Sequence, residues 1–271
     1  MTDEPRPEGT AGAEPPGVAE QAAIGFAMPD PVRHQRASAS GFLLDAIRHR
    51  RAGRRVLSGV ITMLFLAGAG MFTYPFFTDL YTKHSVQAGL EQEFEHDSLR
   101  ALTFEEWEAT VENGRALTRI IIPELGVNTL VVEGTSPDAL RAGAGHYPNT
   151  PLPGQDGNVA IAGHRTTYGR PFNQVDLLEA GDAIWLLTPV GEYEYEVVTP
   201  PAEWGATPEA YRCETACFIT HPQDWQVIAP TSVPSLTLTS CHPKGSAAQR
   251  IVIRAELRKA HQPGTYGNTS A

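Results

Sequence analysis

A mainly β domain, closed as a small antiparallel or mixed barrel and carried behind one membrane-spanning helix, is the fold this sequence predicts. Three observations lead there. Short runs dense in Ile, Val and Leu fill the stretch from about 118 to 258. Pro and Gly punctuate those runs. A long apolar run without any charge, Val56 to Phe77, lies ahead of them. Many short strands with little helix favour a barrel or sandwich over a layered α/β fold. No internal repeat is present.

Residues 1–47 are drawn as a cytoplasmic tail, of which 1–40 are rich in Pro, Ala, Gly and Glu. Such a segment cannot bury enough apolar surface to offset its ordering entropy, and a disordered tail is expected. Residues 48–78 hold the anchor. A helix over VLSGVITMLFLAGAGMFTYPFF reaches about 33 Å, enough for the ~30 Å hydrocarbon core. Arg48, Arg50, Arg51, Arg54 and Arg55 precede it and Asp79 follows. The positive-inside rule then keeps the N-terminus in the cytoplasm and puts the rest outside the cell membrane. The run is too long, and begins too late, for a usual cleaved signal peptide. Pro75 sits near its outer end, where a kink is tolerated.

Residues 79–117 read as a partly helical extracellular stalk. Leu90, Phe94, Leu99 and Leu102 fall near helical spacing, while Phe104 and Trp107 are suited to packing on the domain. From 118 the period changes. Two β-rich runs, 118–122 and 127–132, flank Pro123 and Gly126. Ser136 and Pro137 give a helix-start signal, and Gly143 stops the short helix. NVAIAGH (158–164) is a buried strand. Residues 183–188 and 193–198 make a hairpin around Pro189 and Gly191, and the alternation in YEYEV gives its second strand one wet face. Residues 236–240 and 251–257 are the last strands. The domain is drawn at 118–258, with a flexible tail over 259–271.

The net charge of −10, without an aromatic-studded basic stripe, argues against a nucleic-acid partner. Neither a cofactor nor a metal is expected. No second ligand pair gives zinc spacing, and Glu124, Glu133 and Asp156 are scattered. Cys213 and Cys217 form either a local disulfide or two reduced, packed thiols. Cys241 is then left over. As a buried core thiol it would be inert. Its place at the end of the apolar strand SLTLTS, followed at once by His242, makes it both rigidly held and reachable, as a nucleophile must be.

A free thiol of pKa ~8.5 is only a few per cent thiolate at neutral pH, so a nearby proton acceptor is needed. His164 ends its strand as Cys241 ends its own, and a shared rim would bring them together. His242 would point to the opposite face. His146 and His221 sit in loops. Arg250 or Arg254, on the next strand, would stabilise an oxyanion, and the returning loop favours Arg250.

These residues carry a family resemblance. TLTSC resembles the TLxTC signature of sortases, with Cys241 at the nucleophile. GHRTTYGRPF resembles their histidine block, with His164 in the catalytic place. QRIVIRAEL is similar to the strand that supplies the catalytic arginine, matched by Arg250. The resemblance covers roughly 118–257. Ser240 departs from the Thr usual before the nucleophile, although both offer a hydroxyl.

The resemblance implies an eight-stranded sortase β-barrel and a cysteine transpeptidase without a cofactor. Such an enzyme cleaves an LPxTG- or LAxTG-type sorting signal between Thr and Gly on a secreted protein. It passes the acyl group through a Cys thioester to an amine, often on a peptidoglycan precursor. GHYPNTPLPGQ and SCHP are most similar to class E sortases of high-GC Gram-positive bacteria. A pilin-polymerase lid is absent from 78–117, and the early Asp30–Pro31 lies on the cytoplasmic side. Two alternatives stay open at this level: a catalytically inactive binding protein of the same fold, and a hydrolytic cysteine protease.

Overall fold

A computed structural model describes residues 51–200 and 211–266. The predicted tail over 1–47 lies outside them. The chain divides into two units, Met1–Ile61 and Thr62–Ala271. In the first, the described residues are helical. The second holds everything that follows.

Helix α1 (Arg51–Tyr81) contains the apolar run, with Pro75 inside it. A π-helical turn, Thr82–Val86, joins it to α2 (Gln87–Ser98). The stretch Gly53–Ser98 is long and apolar enough to cross a membrane. Leu64, Phe65, Met71 and Phe72 all stand exposed along it. Large apolar side chains exposed in this way suit a lipid environment and are costly in water.

The segment after the apolar run lies along the barrel. Its polar residues find partners there. The Gln87 side chain acts as a spare strand position. It accepts from the Leu130 amide at 2.8 Å and donates to the carbonyls of Ala142 (2.6 Å) and Leu130 (3.2 Å). Arg115 pairs with Glu93 and Arg119 with Glu91. Phe94 is buried beneath the Arg119 guanidinium, whereas Leu99 stays exposed. A capping box between Thr103 and Glu106 starts α3 (Phe104–Glu108). That fixes Trp107, which buries against Leu117 and Leu152.

Ten strands follow: β1 (Ala116–Ile122), β2 (Val127–Glu133), β3 (Ala144–His146), β4 (Asn158–Gly163), β5 (Ala183–Thr188), β6 (Gly191–Val198), β7 (Tyr211–Arg212), β8 (Cys217–Thr220), β9 (Ser235–His242) and β10 (Gln249–His261). Helix α4 (Pro137–Leu140) lies between β2 and β3, with Ser136 capping the Ala139 amide as expected. Eight strands close a ring in the order β6-β5-β1-β2-β3-β4-β9-β10, and β10 returns to β6. Strands β8 and β7 attach outside the ring, on the first half of β10. The predicted eight-stranded barrel is therefore observed. The hairpin and the last two strands fall where the alternation put them, but β10 runs to His261, past the boundary drawn at 258. Its tail pairs with β6 as far as His261 opposite Glu192.

The barrel interior explains the apolar runs. Ile120, Val131, Ile161, Ile184, Leu238 and Ile253 are fully or almost fully buried in one cluster. Each such side chain contributes about 1.5–3 kcal/mol relative to exposure. On β6, Tyr193, Tyr195 and Val197 point inward and alternate with the half-exposed Glu194 and Glu196. Most pairings are antiparallel, but β2 runs parallel to β3 and β4 parallel to β9. The β4–β9 pair sets the site.

Candidate active site

Strands β4 and β9 run side by side in the same direction, with Ala162 opposite Thr239 at the last recorded step. One residue further, the Ser240 hydroxyl donates to the Gly163 carbonyl at 2.6 Å. One step beyond that stand His164 and Cys241. Two parallel strands ending in register bring both side chains to the same rim, which a sequence can suggest only from where two strands stop. Strand β10 adds the third group. Arg250 lies directly opposite Cys241 on β9 and opposite Thr220 on β8.

His164, Cys241 and Arg250 line one pocket of about 260 Å³. Leu140, Tyr147, Thr220, His221, Trp225 and Ile228 also line it. Cys241 is a free thiol and partly accessible. It is thus neither the inert core thiol nor part of a disulfide. Cys213 and Cys217 are bonded to each other, with Cα atoms 5.1 Å apart.

Burial lowers the proton affinity of His164 below the ordinary imidazole value. Its ring lies 5.0 Å from that of Tyr168. The His164 carbonyl accepts from the Phe172 amide at 3.2 Å, which closes the loop 164–172. Phe172 is fully buried, and a Cβ on Gly163 would lie 2.5 Å from its ring. A glycine is therefore needed at 163. Arg250 Nη1 donates to the carbonyls of Ala247 and Gln249, both at 3.1 Å. These bonds hold the guanidinium near the turn that returns β10 to the rim.

The remaining candidates separate by their surroundings. Arg254 is buried under the 225–228 turn and donates to the Val227 carbonyl at 3.2 Å. Among the two arginines, Arg250 is the one that lines the pocket. His146 is buried, with Nδ1 2.7 Å from Glu133 and Nε2 3.0 Å from the Pro151 carbonyl. It fastens β2 and β3 to the following loop. His221 is exposed at the pocket lip, and its Nδ1 accepts from the Gln223 amide. His242 points away from the pocket as expected, towards Tyr211 (3.2 Å) and Arg165 (3.5 Å). Burial and Arg165 together lower its proton affinity. Among the described residues no group of three or more His, Cys, Asp or Glu side chains could hold a metal ion.

Sequence reasoning missed Tyr147, whose hydroxyl lies 3.0 Å from that of Thr239, and the 220–228 segment with Trp225 and Ile228. Tyr147 lies within the GHYP stretch, a cue that was present. The lip segment carried none.

A closed eight-stranded barrel with Cys, His and Arg gathered at one rim defines a class, and comparison with known proteins agrees. Residues 120–258 match the Sortase domain family. The chain belongs to the sortase family. It is 38% identical over 87 residues to Sortase D of Bacillus subtilis, covering 32% of this chain and 42% of that protein. It is 29% identical over 175 residues to Sortase SrtE1 of Streptomyces coelicolor, covering 59% and 45%. The chain thus spans less than half the length of either relative. The class E likeness has its counterpart in the second. A solved Clostridium perfringens Sortase D5 transpeptidase superposes with a TM-score of 0.53 at 28% identity, covering 65% of this chain and 99% of that one.

Proposed function

We propose that this chain is a membrane-anchored cysteine transpeptidase that cleaves an LPxTG- or LAxTG-type sorting signal between Thr and Gly. It joins the released carboxyl group to an amine of the cell wall. The observation that carries this reading is the convergence of Cys241, His164 and Arg250 on one pocket. Before reaction the depressed basicity of His164 favours a neutral imidazole. Proton transfer from the thiol then makes the nucleophile and the acid together.

In the first half-reaction, the Cys241 sulfur attacks the Thr carbonyl carbon. The C–N bond to Gly breaks and His164 gives its proton to the leaving amine. A thioester remains. In the second, His164 takes a proton from the incoming amine as its nitrogen attacks the thioester, and the thiol is released. Arg250 would hold the substrate carbonyl and the oxyanion that develops on it.

The arginines before the apolar run favour a cytoplasmic N-terminus, with residues 48–78 as a single-pass anchor and the 118–258 domain outside the cell. Secreted proteins bearing the signal would be donors, and a peptidoglycan precursor would supply the amine.

The test incubates the full chain in detergent with an LAxTG or LPxTG peptide and a glycine amine, beside Cys241→Ala. Ligated product from the wild type alone supports the proposal. Cleaved peptide without ligation would make it a protease. No turnover and no acyl-enzyme by mass spectrometry would make it a binding module.

A further inference from the structure

We propose that Asp79, just beyond the apolar run, is a positioning residue for the loop that carries His164, so that the membrane-proximal helix belongs to the active machinery. The inference rests on the role proposed above for His164.

Three consecutive residues of that loop, Tyr168, Gly169 and Arg170, hold positive φ angles of 52°, 78° and 49°. Glycine adopts this conformation freely, but side chains at 168 and 170 resist it. Something outside the loop must hold it. Asp79 is buried at 7% exposure and grips two of the three residues with one carboxylate. Its Oδ1 accepts from the Gly169 amide at 3.1 Å, and its Oδ2 accepts from Arg170 Nε at 2.5 Å. Both are charge-assisted bonds, the stronger kind.

Thr82, one turn onward, seats the same stretch of helix. Its hydroxyl donates to the Arg141 carbonyl at 3.2 Å, and its methyl lies 3.5 Å from where a Cβ on Gly169 would stand. From the gripped residues the path to the site is short. Tyr168 is the first of the three, and its ring faces that of His164 at 5.0 Å. The far end of the loop closes on the His164 carbonyl itself through Phe172. Releasing Asp79 would free the wall against which the imidazole rests, hydrate the ring and raise its proton affinity.

The test uses the full chain in detergent micelles with Asp79→Asn and Asp79→Glu. Hydrogen exchange is read over 164–173, and peptide ligation is followed against pH. Asp79→Asn is expected to speed exchange at 168–172 by about tenfold or more. It is also expected to lower kcat by about tenfold with KM within about twofold, as misplacement of one reacting group does. The acid limb of the rate profile should move to higher pH, and Asp79→Glu should recover most of the loss. Exchange unchanged at 168–172, or faster exchange with kcat and the acid limb unmoved, overturns the proposal. If Asp79→Asn fails to fold, Arg170→Gln, which leaves the helix intact, carries the same readouts. A wild-type chain without turnover removes the functional reading only. NMR titration of His164 then replaces the rate profile, and an unmoved titration in the variant overturns the clamp by itself.

Discussion

The Ser240 hydroxyl donates to the carbonyl of Gly163 across the parallel β4–β9 seam, one residue before each of the two groups proposed to react. Ser240 is buried, so this bond is shielded from water. Ser240→Ala leaves the Gly163 carbonyl without its partner and is expected to cost about 1–3 kcal/mol of stability. Ser240→Thr keeps the hydroxyl and should retain most of it. Urea unfolding of the three proteins, with ligation rates beside it, checks this.

Gly163→Ala should be worse than its size suggests. The added methyl meets the ring of the fully buried Phe172. Over-packing of this kind costs about 1–3 kcal/mol. Because Phe172 closes the His164 loop, activity should fall further than stability does. A variant with wild-type melting and wild-type turnover would contradict this.

Two arginines four residues apart on β10 should fail differently. Arg250→Ala is expected to lower kcat/KM by about 10²–10³-fold, the usual loss on removing an oxyanion donor, with little change in melting temperature. Arg254→Ala should act through stability, losing about 1.5–3 kcal/mol as the charged one of the three donors on the Val227 carbonyl is removed, Asn158 and Thr237 remaining. Steady-state kinetics and thermal melts on both variants separate the two roles.

Stability should depend on pH through His164 and His242. Both hold their protons less tightly when folded than the ordinary imidazole, His164 through burial and His242 through burial and Arg165. As pH falls through the unfolded value of ~6.5, the unfolded chain takes up protons first. The folded state therefore loses stability on acidification, below about pH 6.5 and down to the depressed folded values. Melting temperatures measured from pH 8 to 5 should fall across that window. His164→Asn should flatten part of the fall. A curve flat across the window would contradict this.

Much of the barrel was legible because its strands are long enough to show a pattern. NVAIAG, AIWLLT, YEYEVV and the two last strands could be read from apolar density and alternation. Strand β3 could not, since three residues, Ala144 to His146, carry no period. CFIT is only one residue longer, and its place outside the ring depends on pairing with β10, a relationship between distant segments. Cys241 and His164 could be singled out as candidates because each ends a strand. Between the two arginines the returning loop favoured Arg250, and the register puts it opposite Cys241 while Arg254 lies opposite Thr237. The contacts of the helical segment after the apolar run were not legible, because they run through polar residues such as Gln87 and Asp79. Hydrophobic spacing alone does not mark such positions as contacts.

Strand β10 is the seam of the ring, pairing with β9 along one edge and with β8 and then β6 along the other. Among the described strands it is the last to be synthesised. A nascent chain therefore has an open sheet and, lacking Arg250, an incomplete rim until its final strand arrives. Late zippering of that kind is slow, because partners far apart in the chain must meet. It also gives the polypeptide a built-in delay: neither the ring nor the pocket that Arg250 lines is complete while the strand is still being made.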